Sequence, residues 1–218
     1  MSQTLIETRP IAPHRTEEAQ HVHAGLQLRP AIVSFVLLTI LTGIIYPAVV
    51  TVIAHFAFPW RSAGSVIEVG GKPVASTLIG QPFTDPNYFW SRPSATSPNP
   101  YEADASSGSN LGPTNPALLD AVKQRIAALR AADPGNDKPV PVDLVTSSAS
   151  GLDPDISVAA AEYQAPRIAR LRRLKLSDVQ RLIDRFAQGR AFGFIGEPRV
   201  NVVELNLALD GRRWDNSK

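Results

Sequence analysis

"AIVSFVLLTILTGIIYPAVVTVIAHFAF", Ala31 to Phe58, lies inside a stretch from Pro30 to Trp60 that carries no Asp, Glu, Lys or Arg. Its 28 residues reach roughly 42 Å as a helix at about 1.5 Å per residue, against a hydrocarbon core of about 30 Å. A buried core helix is shorter than this and punctuated by polar residues. The run therefore reads as one membrane span, with tilt or an interfacial end taking up the excess. A cleaved signal peptide fits poorly. Its leading region would be 29 residues long and would hold Glu7, Glu17 and Glu18. Its apolar part is about twice the usual maximum, and Ser62-Ala63-Gly64 is the nearest match to a cleavage site. Phe56, Phe58 and Trp60 cluster at the end of the span, where aromatic rings favour the interface. Pro47 is expected to kink the helix, and Gly43 to admit a second helix closely. Flanking charge leaves the orientation open, with Arg15 and Arg29 on one side and Arg61 and Lys72 on the other.

Around this anchor the chain divides into a polar tail (1–29), the span (30–60), a mixed α/β domain (61–211) and a short C-terminal tail (212–218). The expected class is an α+β soluble domain held by one N-terminal transmembrane helix. The formal charge of +2 does not point to nucleic acid. All four histidines, His14, His21, His23 and His55, precede Phe56, and the chain has no Cys. The domain therefore cannot build a Ser-His-Asp triad, a Cys-His pair or a His- or Cys-ligated zinc site. His21-x-His23 is better read as part of a polar tail than as a closed metal site.

Within the domain, "SVIEVGGKPVASTLI" predicts a hairpin, with Ser65–Val69 and Lys72–Ile79 joined at Gly70-Gly71. Pro82 to Pro116 is a long loop-rich segment. Asn115 caps a helix that begins at Pro116, with Leu119, Val122, Ile126 and Leu129 as its stripe and Pro134-Gly135 as its stop. Val140–Thr146 is expected to be a strand. Ser157 caps a second helix to about Leu171. Ser177, with Gln180, opens a third whose Val179, Leu182, Ile183 and Phe186 share a face and which Gly189 ends. In "VNVVELNLALDG" the alternation of a strand competes with the Asn201–Glu204 capping pair of a helix.

Chemistry is sparse. "GSNLG" lacks the Ser of G-x-S-x-G, "GGK" lacks the rest of a P-loop, and no S-x-x-K occurs. Asp153 and Asp155 are possible acid/base groups, but turn and helix-cap roles suit them better. "RIARLRRLK", Arg167 to Lys175, reads as a solvated helix face rather than a phosphate patch. "ASSGSNLGPTNP", Ala105–Pro116, has no base to activate Ser106, Ser107 or Ser109, so it reads as a shaped loop with Gly108 and Gly112 free to take φ > 0.

Taken together, "LRPA", "GIIYP", "FPW", "LIGQPF", "YFWSRPSAT", "SSGSNLGPTNP", "VTSSASGLDPDIS", "QAPR" and "GEPRVNVVELNLALD" occur in an order and spacing that closely resemble the C-subunit family of the Kdp-type ATP-driven potassium transporters of bacteria. The likeness runs from about Leu28 to Asp210. It implies an accessory, non-catalytic subunit of a high-affinity uptake complex in the bacterial inner membrane. The implied partners are a potassium-channel-like subunit, a P-type ATPase subunit and a small accessory subunit, with membrane lipid around the span. ATP and K+ are then handled by the complex, and no cofactor is bound by this chain. The implied topology is N-terminus inside and domain outside.

The family is also described as a catalytic chaperone that raises ATP affinity, with "SASGLD" and Gln164-x-x-Arg167 likened to a nucleotide signature. That makes Ser150, Gly151, Gln164 and Arg167 nucleotide-related candidates. The two implications conflict, because a domain outside the membrane cannot touch cytoplasmic ATP. Structural coupling is the preferred reading. Gly43, Tyr88, Phe89, Trp90, Arg92, Ser109 and Asn110 are the candidate partner-interface residues. The alternative function is a membrane-anchored extracytoplasmic enzyme that uses Ser or Asp.

Overall fold

A computed structural model describes residues 24–212, with side chains from residue 28. The tails at 1–23 and 213–218, and with them His14, His21 and His23, lie outside the described residues. The chain falls into two compact units that meet at Val52/Ile53. The first is helical, with α1 at Ala24–Ile40, a π turn at Leu41–Ile45 and the start of α2, Tyr46–Ala57. Leu28–Ala57 is long and apolar enough to cross a membrane. The π turn sits just ahead of Pro47, and the Tyr46 N–H reaches back to the Leu41 carbonyl. A proline has no N–H to donate and crowds the carbonyl one turn back. The widened turn relieves that crowding, which is how the expected irregularity at Pro47 is realised. The Thr42 hydroxyl donates to the Leu38 carbonyl at 2.7 Å, as polar side chains do where water is scarce.

After the end of α2, the second unit carries a short helix, α3 (Pro59–Ser62), and the expected hairpin, β1 (Val66–Val69) and β2 (Lys72–Ser76). Val69 pairs with Lys72 across Gly70-Gly71. Both glycines have positive φ, 62° and 75°, as a two-residue turn matched to strand twist requires. α4 (Pro116–Ala132) is capped by the Asn115 side chain, which accepts from Ala117 N. Leu129 is buried and Val122 and Ile126 are half-buried, but Leu119, counted in the stripe, is exposed.

Three expectations are corrected. Val140–Thr146 is not a strand: Val142–Leu144 is a 3-10 turn. Pro139 and Pro141 have no N–H for a ladder, and Asp143 is turned instead to accept from the Ser157 N–H and hydroxyl at 2.7 and 3.2 Å. The third helix is α6, Leu176–Phe186; it begins at Lys175 without a side-chain cap, so Ser177 does not open it. It ends before Gly189, because Ala187–Gln188 leaves as strand β4 to pair with β5 (Arg199–Asn201).

β5 lies between β4 and β3 (Asp155–Ser157), antiparallel to both. The ambiguous C-terminal stretch is both structures in series, since β5 runs directly into α7 (Val202–Leu209). Asn201 caps α7 by accepting from Val203 N and Glu204 N. α5 (Val158–Arg172) is capped by Ser157 as expected. Ala160, Ala161, Ala165 and Ala169 are buried along α5, with Ile168. Small side chains there let neighbouring elements approach closely. Val179 and Ile183 of α6, Leu205 of α7, Val200, Phe89 and Trp90 complete the core.

Candidate functional site

The segment Pro86–Arg92 has no regular secondary structure, yet Phe89 and Trp90 are buried. Buried backbone N–H and C=O groups need partners, and side chains supply them here. The Trp90 N–H donates to Gln164 Oε1 at 2.7 Å, and Gln164 Nε2 donates to the Trp90 carbonyl at 3.1 Å. Asn206 treats the adjacent residue in the same way: Phe89 N–H donates to Oδ1 at 2.9 Å, and Nδ2 donates to the Phe89 carbonyl at 3.0 Å. Two carboxamides, one from α5 and one from α7, thus imitate the paired bonds of a neighbouring strand.

Arginines complete the frame. Arg167 donates to the carbonyls of Pro86 and Tyr88 and to Gln164 Oε1. Arg172 donates to the Asn87 carbonyl at 2.7 Å, and Arg125 to that of Ser91 at 2.8 Å. The guanidinium carbons of Arg125 and Arg167 each lie 5.0 Å from the Trp90 ring centroid, within cation–π range. Burial pulls the Arg167 guanidinium down to about 10, with Asp133 opposing that shift, so it remains a cation at neutral pH.

This geometry relocates several candidates. Gln164 and Arg167 are 1% and 2% exposed, and their polar groups are engaged with the chain's own backbone. Phe89 and Trp90 are core residues, not surface anchors. Tyr88 is half-buried, its hydroxyl donating to Asp210 at 2.9 Å and its ring stacked by Arg172 at 4.6 Å. The Arg92 fork does not wait for a partner: it pairs with Asp153 at 3.1 Å. The arginine run is not simply a solvated face either. Arg170 pairs with Asp133 and Arg172 with Asp210, at 2.7 and 2.9 Å.

Asp153 and Asp155 are not helix caps, because Ser157 fills that role. Asp155 pairs with Arg199 at 2.8 Å. Burial, with the charge of Asp153, still holds its carboxyl above the ordinary range against the pull of Arg199.

Ser150 and Gly151 belong to a loop clasp. The Ser107 N–H and Ser106 hydroxyl donate to the Ser150 carbonyl at 2.9 and 3.1 Å. Gly151 sits at φ 67°, where an added Cβ would stand 2.6 Å from the Ser107 carbonyl oxygen. Gly108 and Gly112 do not take the positive φ expected of them; Asn110 does, at 52°. Gly108 is required for proximity, since a Cβ there would lie 2.9 Å from the Ala149 carbonyl oxygen.

Ser109 is exposed and lines a groove of about 400 Å³ with Leu111, Leu118, Ala121, Arg125 and Val145. The residues lining this groove include no carboxylate, His or Lys, and the Arg125 guanidinium is engaged with Leu144, Ser91 and Trp90. It offers neither a base for Ser109 nor a cradle for a triphosphate.

Asn206 and Arg125 escaped sequence reasoning. A polar residue inside the apolar run "VVELNLAL" is the signal for Asn206: once that run is a helix, Asn206 falls on the buried face. Nothing in sequence marks Arg125 off from an ordinary surface charge.

Residues 28–211 match the family model described as "KdpC: K+-transporting ATPase, c chain". The potassium-transporting ATPase KdpC subunit of Methylococcus capsulatus is 61% identical over 185 residues, covering 85% of this chain and 97% of that protein. Those of Variovorax paradoxus and Polaromonas naphthalenivorans are each 63% identical, covering 84% and 87% of this chain and 95% and 97% of theirs.

Proposed function

The chain belongs to the KdpC family, the c chain of K+-transporting ATPases, and from that premise we propose that it is the accessory, non-catalytic subunit of a potassium-uptake complex. It assembles with a channel-like subunit, a P-type ATPase subunit and a small companion, and lies N-terminus inside with its domain outside the cytoplasm. The observation that carries this reading is the engagement of Gln164 and Arg167. Residues resembling a nucleotide signature are buried and hydrogen-bonded to Pro86, Tyr88 and Trp90. Any rise in ATP affinity of the ATPase subunit is therefore indirect, carried through assembled contacts as a coupling free energy.

The anchor supports a partner role on separate grounds. In lipid, helices associate through small residues and close packing. Gly43 lies in the π turn, and a Cβ there would meet nothing within 4 Å beyond the adjoining helix backbone. The position is open for another helix. An anchored hydrolase using Ser109, Asp153 or Asp155 finds no support, since Ser109 has no base in its groove and both aspartates are paired with arginines.

Reporter fusions test the topology. A reporter after Gly211 is expected to be active outside the cytoplasm and one at Arg15 inside. The reverse pattern would overturn the orientation and reopen direct nucleotide contact. Copurification of the companion subunits with the full chain tests the accessory role.

A further inference from the structure

The last residues of the span, 53–57, belong to the same compact unit as the domain. Just beyond them, Trp60, Arg61, Ser65, Thr77, Asp155 and Arg199 line one pocket of about 570 Å³, a volume within the roughly 300–1,000 Å³ of small-molecule sites. Its walls are held by the chain's own bonds. Trp60 Nε1 donates to the Val66 carbonyl at 2.9 Å, and Asn201 Nδ2, from β5, donates to the Thr77 carbonyl at 2.8 Å. The Ser65 N–H donates to the Trp60 carbonyl at 3.0 Å, and the Ser65 carbonyl accepts from the Thr77 N–H at 3.1 Å.

Several donors on these walls are unused. Arg61 is exposed, and its guanidinium has no partner among the described residues. Arg199 meets Asp155 through Nε at 2.8 Å, which leaves its two terminal amino groups without a partner among the described residues. Ser65 is 2% exposed, yet its hydroxyl has no hydrogen-bond partner among the described residues. Its backbone holds φ at 51°, a strained value for a residue with a side chain, and strain of this kind collects at sites with a use. Two guanidiniums and a buried hydroxyl make a phosphate-binding set, since the guanidinium fork matches phosphate oxygens. Asp155 and Glu204 on the same walls balance the two positive charges. A pocket of that composition suits a zwitterion better than a bare anion.

We propose that this pocket holds the headgroup of an aminophospholipid, with its phosphodiester between Arg61 and Arg199 and its ammonium toward Asp155. Membrane supplies such a ligand at the place where the pocket stands. Arg61 lies four residues beyond Ala57, where the apolar stretch ends, at most about 14 Å even along a fully extended chain. Trp60 beside it has the amphipathic ring that settles at headgroup depth. The acyl chains then lie along the lipid-facing end of the span while the headgroup is taken up by the domain. The proposal rests on the anchor crossing a membrane and not on which side the domain lies.

Native mass spectrometry of the full chain, released from detergent with equal amounts of phosphatidylethanolamine and phosphatidylglycerol of identical acyl chains, tests this. One phosphatidylethanolamine is expected to stay bound in preference to phosphatidylglycerol. Arg61→Gln should lower that occupancy several-fold with the thermal midpoint unchanged, because the side chain has no partner to lose. Lys72→Gln removes an exposed positive charge outside the pocket and should leave occupancy as it is. Glycerophosphoethanolamine, which carries the headgroup without acyl chains, should not displace the lipid at equal concentration. Equal retention of the two lipids overturns the proposal, as does occupancy indifferent to Arg61→Gln. Displacement by glycerophosphoethanolamine assigns the pocket to a soluble phosphodiester and also overturns it.

Discussion

The Gln164 carboxamide and the Trp90 backbone exchange two hydrogen bonds, at 2.7 and 3.1 Å. One side chain on α5 thus does for Trp90 what a neighbouring strand would do. Removing it leaves the Trp90 N–H and C=O buried without partners and deprives Arg167 of an acceptor. Each stranded group costs about 1–3 kcal/mol, so the segment and the domain should lose stability together.

Trp90→Ala should act on the chain before it acts on the complex. Trp90 is 6% exposed and lies between Arg125 and Arg167. Truncating a buried Trp costs about 3–5 kcal/mol. The thermal midpoint of the full chain purified without partners should drop sharply. An unchanged midpoint with lost copurification would mean that the ring is a surface anchor after all.

Gly108→Val should destabilise the domain, because its Cβ meets the Ala149 carbonyl oxygen at 2.9 Å and that atom is backbone. Ser109→Ala should stay within about 0.5 kcal/mol, as exposed substitutions generally do. Gly112→Ala should be equally mild, since a Cβ there meets nothing within 4 Å. Thermal midpoints rank the three variants. An inactive but fully stable Ser109→Ala complex would revive a catalytic loop.

Asp155→Asn makes a signed pH prediction. Burial raises the folded-state pKa of Asp155, so during acidification the folded chain takes up this proton before the unfolded chain does. The group therefore favours folding progressively as pH falls through that window, and its contribution is lost as pH rises through the folded pKa. Relative to the parent, Asp155→Asn should fare worse at acid pH than at neutral pH. Thermal midpoints of both proteins at the two pH values test this. The opposite trend would show that the ion pair with Arg199 outweighs burial and depresses the pKa.

Gly43→Leu should leave the isolated chain folded, because the added Cβ meets nothing within 4 Å beyond the adjoining helix backbone, and should reduce recovery of the assembled complex. Leu38→Ile is the control. Equal recovery of both variants would remove Gly43 from the assembly surface.

What could be read in the sequence was what local chemistry decides. The span, the Gly70-Gly71 turn and the Asn115 and Ser157 caps are each set by residues adjacent to one another. The errors arose where distant partners decide. Val140–Thr146 has the apolar residues of a strand, but Asp143 is turned to Ser157 and two prolines cannot donate. Tyr88-Phe89-Trp90 has the composition of an interface, but Gln164 and Asn206, 74 and 117 positions away from Trp90 and Phe89, draw it into the core. Gly108 is needed for proximity to the Ala149 carbonyl and not for a positive φ, and no local rule shows that Ala149 comes to lie beside it.

One comparison tests most directly whether Gln164 serves the fold or the nucleotide. Gln164→Leu and Asn206→Leu are placed separately in the assembled complex, and potassium-stimulated hydrolysis is followed against ATP concentration beside the thermal midpoint of each chain. Asn206 performs the same backbone clamp on the next residue but belongs to no nucleotide-like motif. Both variants should lose stability by similar amounts, and whatever change appears in ATP dependence should appear in both. A Gln164→Leu complex with an undisturbed midpoint and a several-fold weaker ATP dependence, beside an Asn206→Leu complex with normal ATP dependence, would contradict the structural role and return Gln164 to the nucleotide.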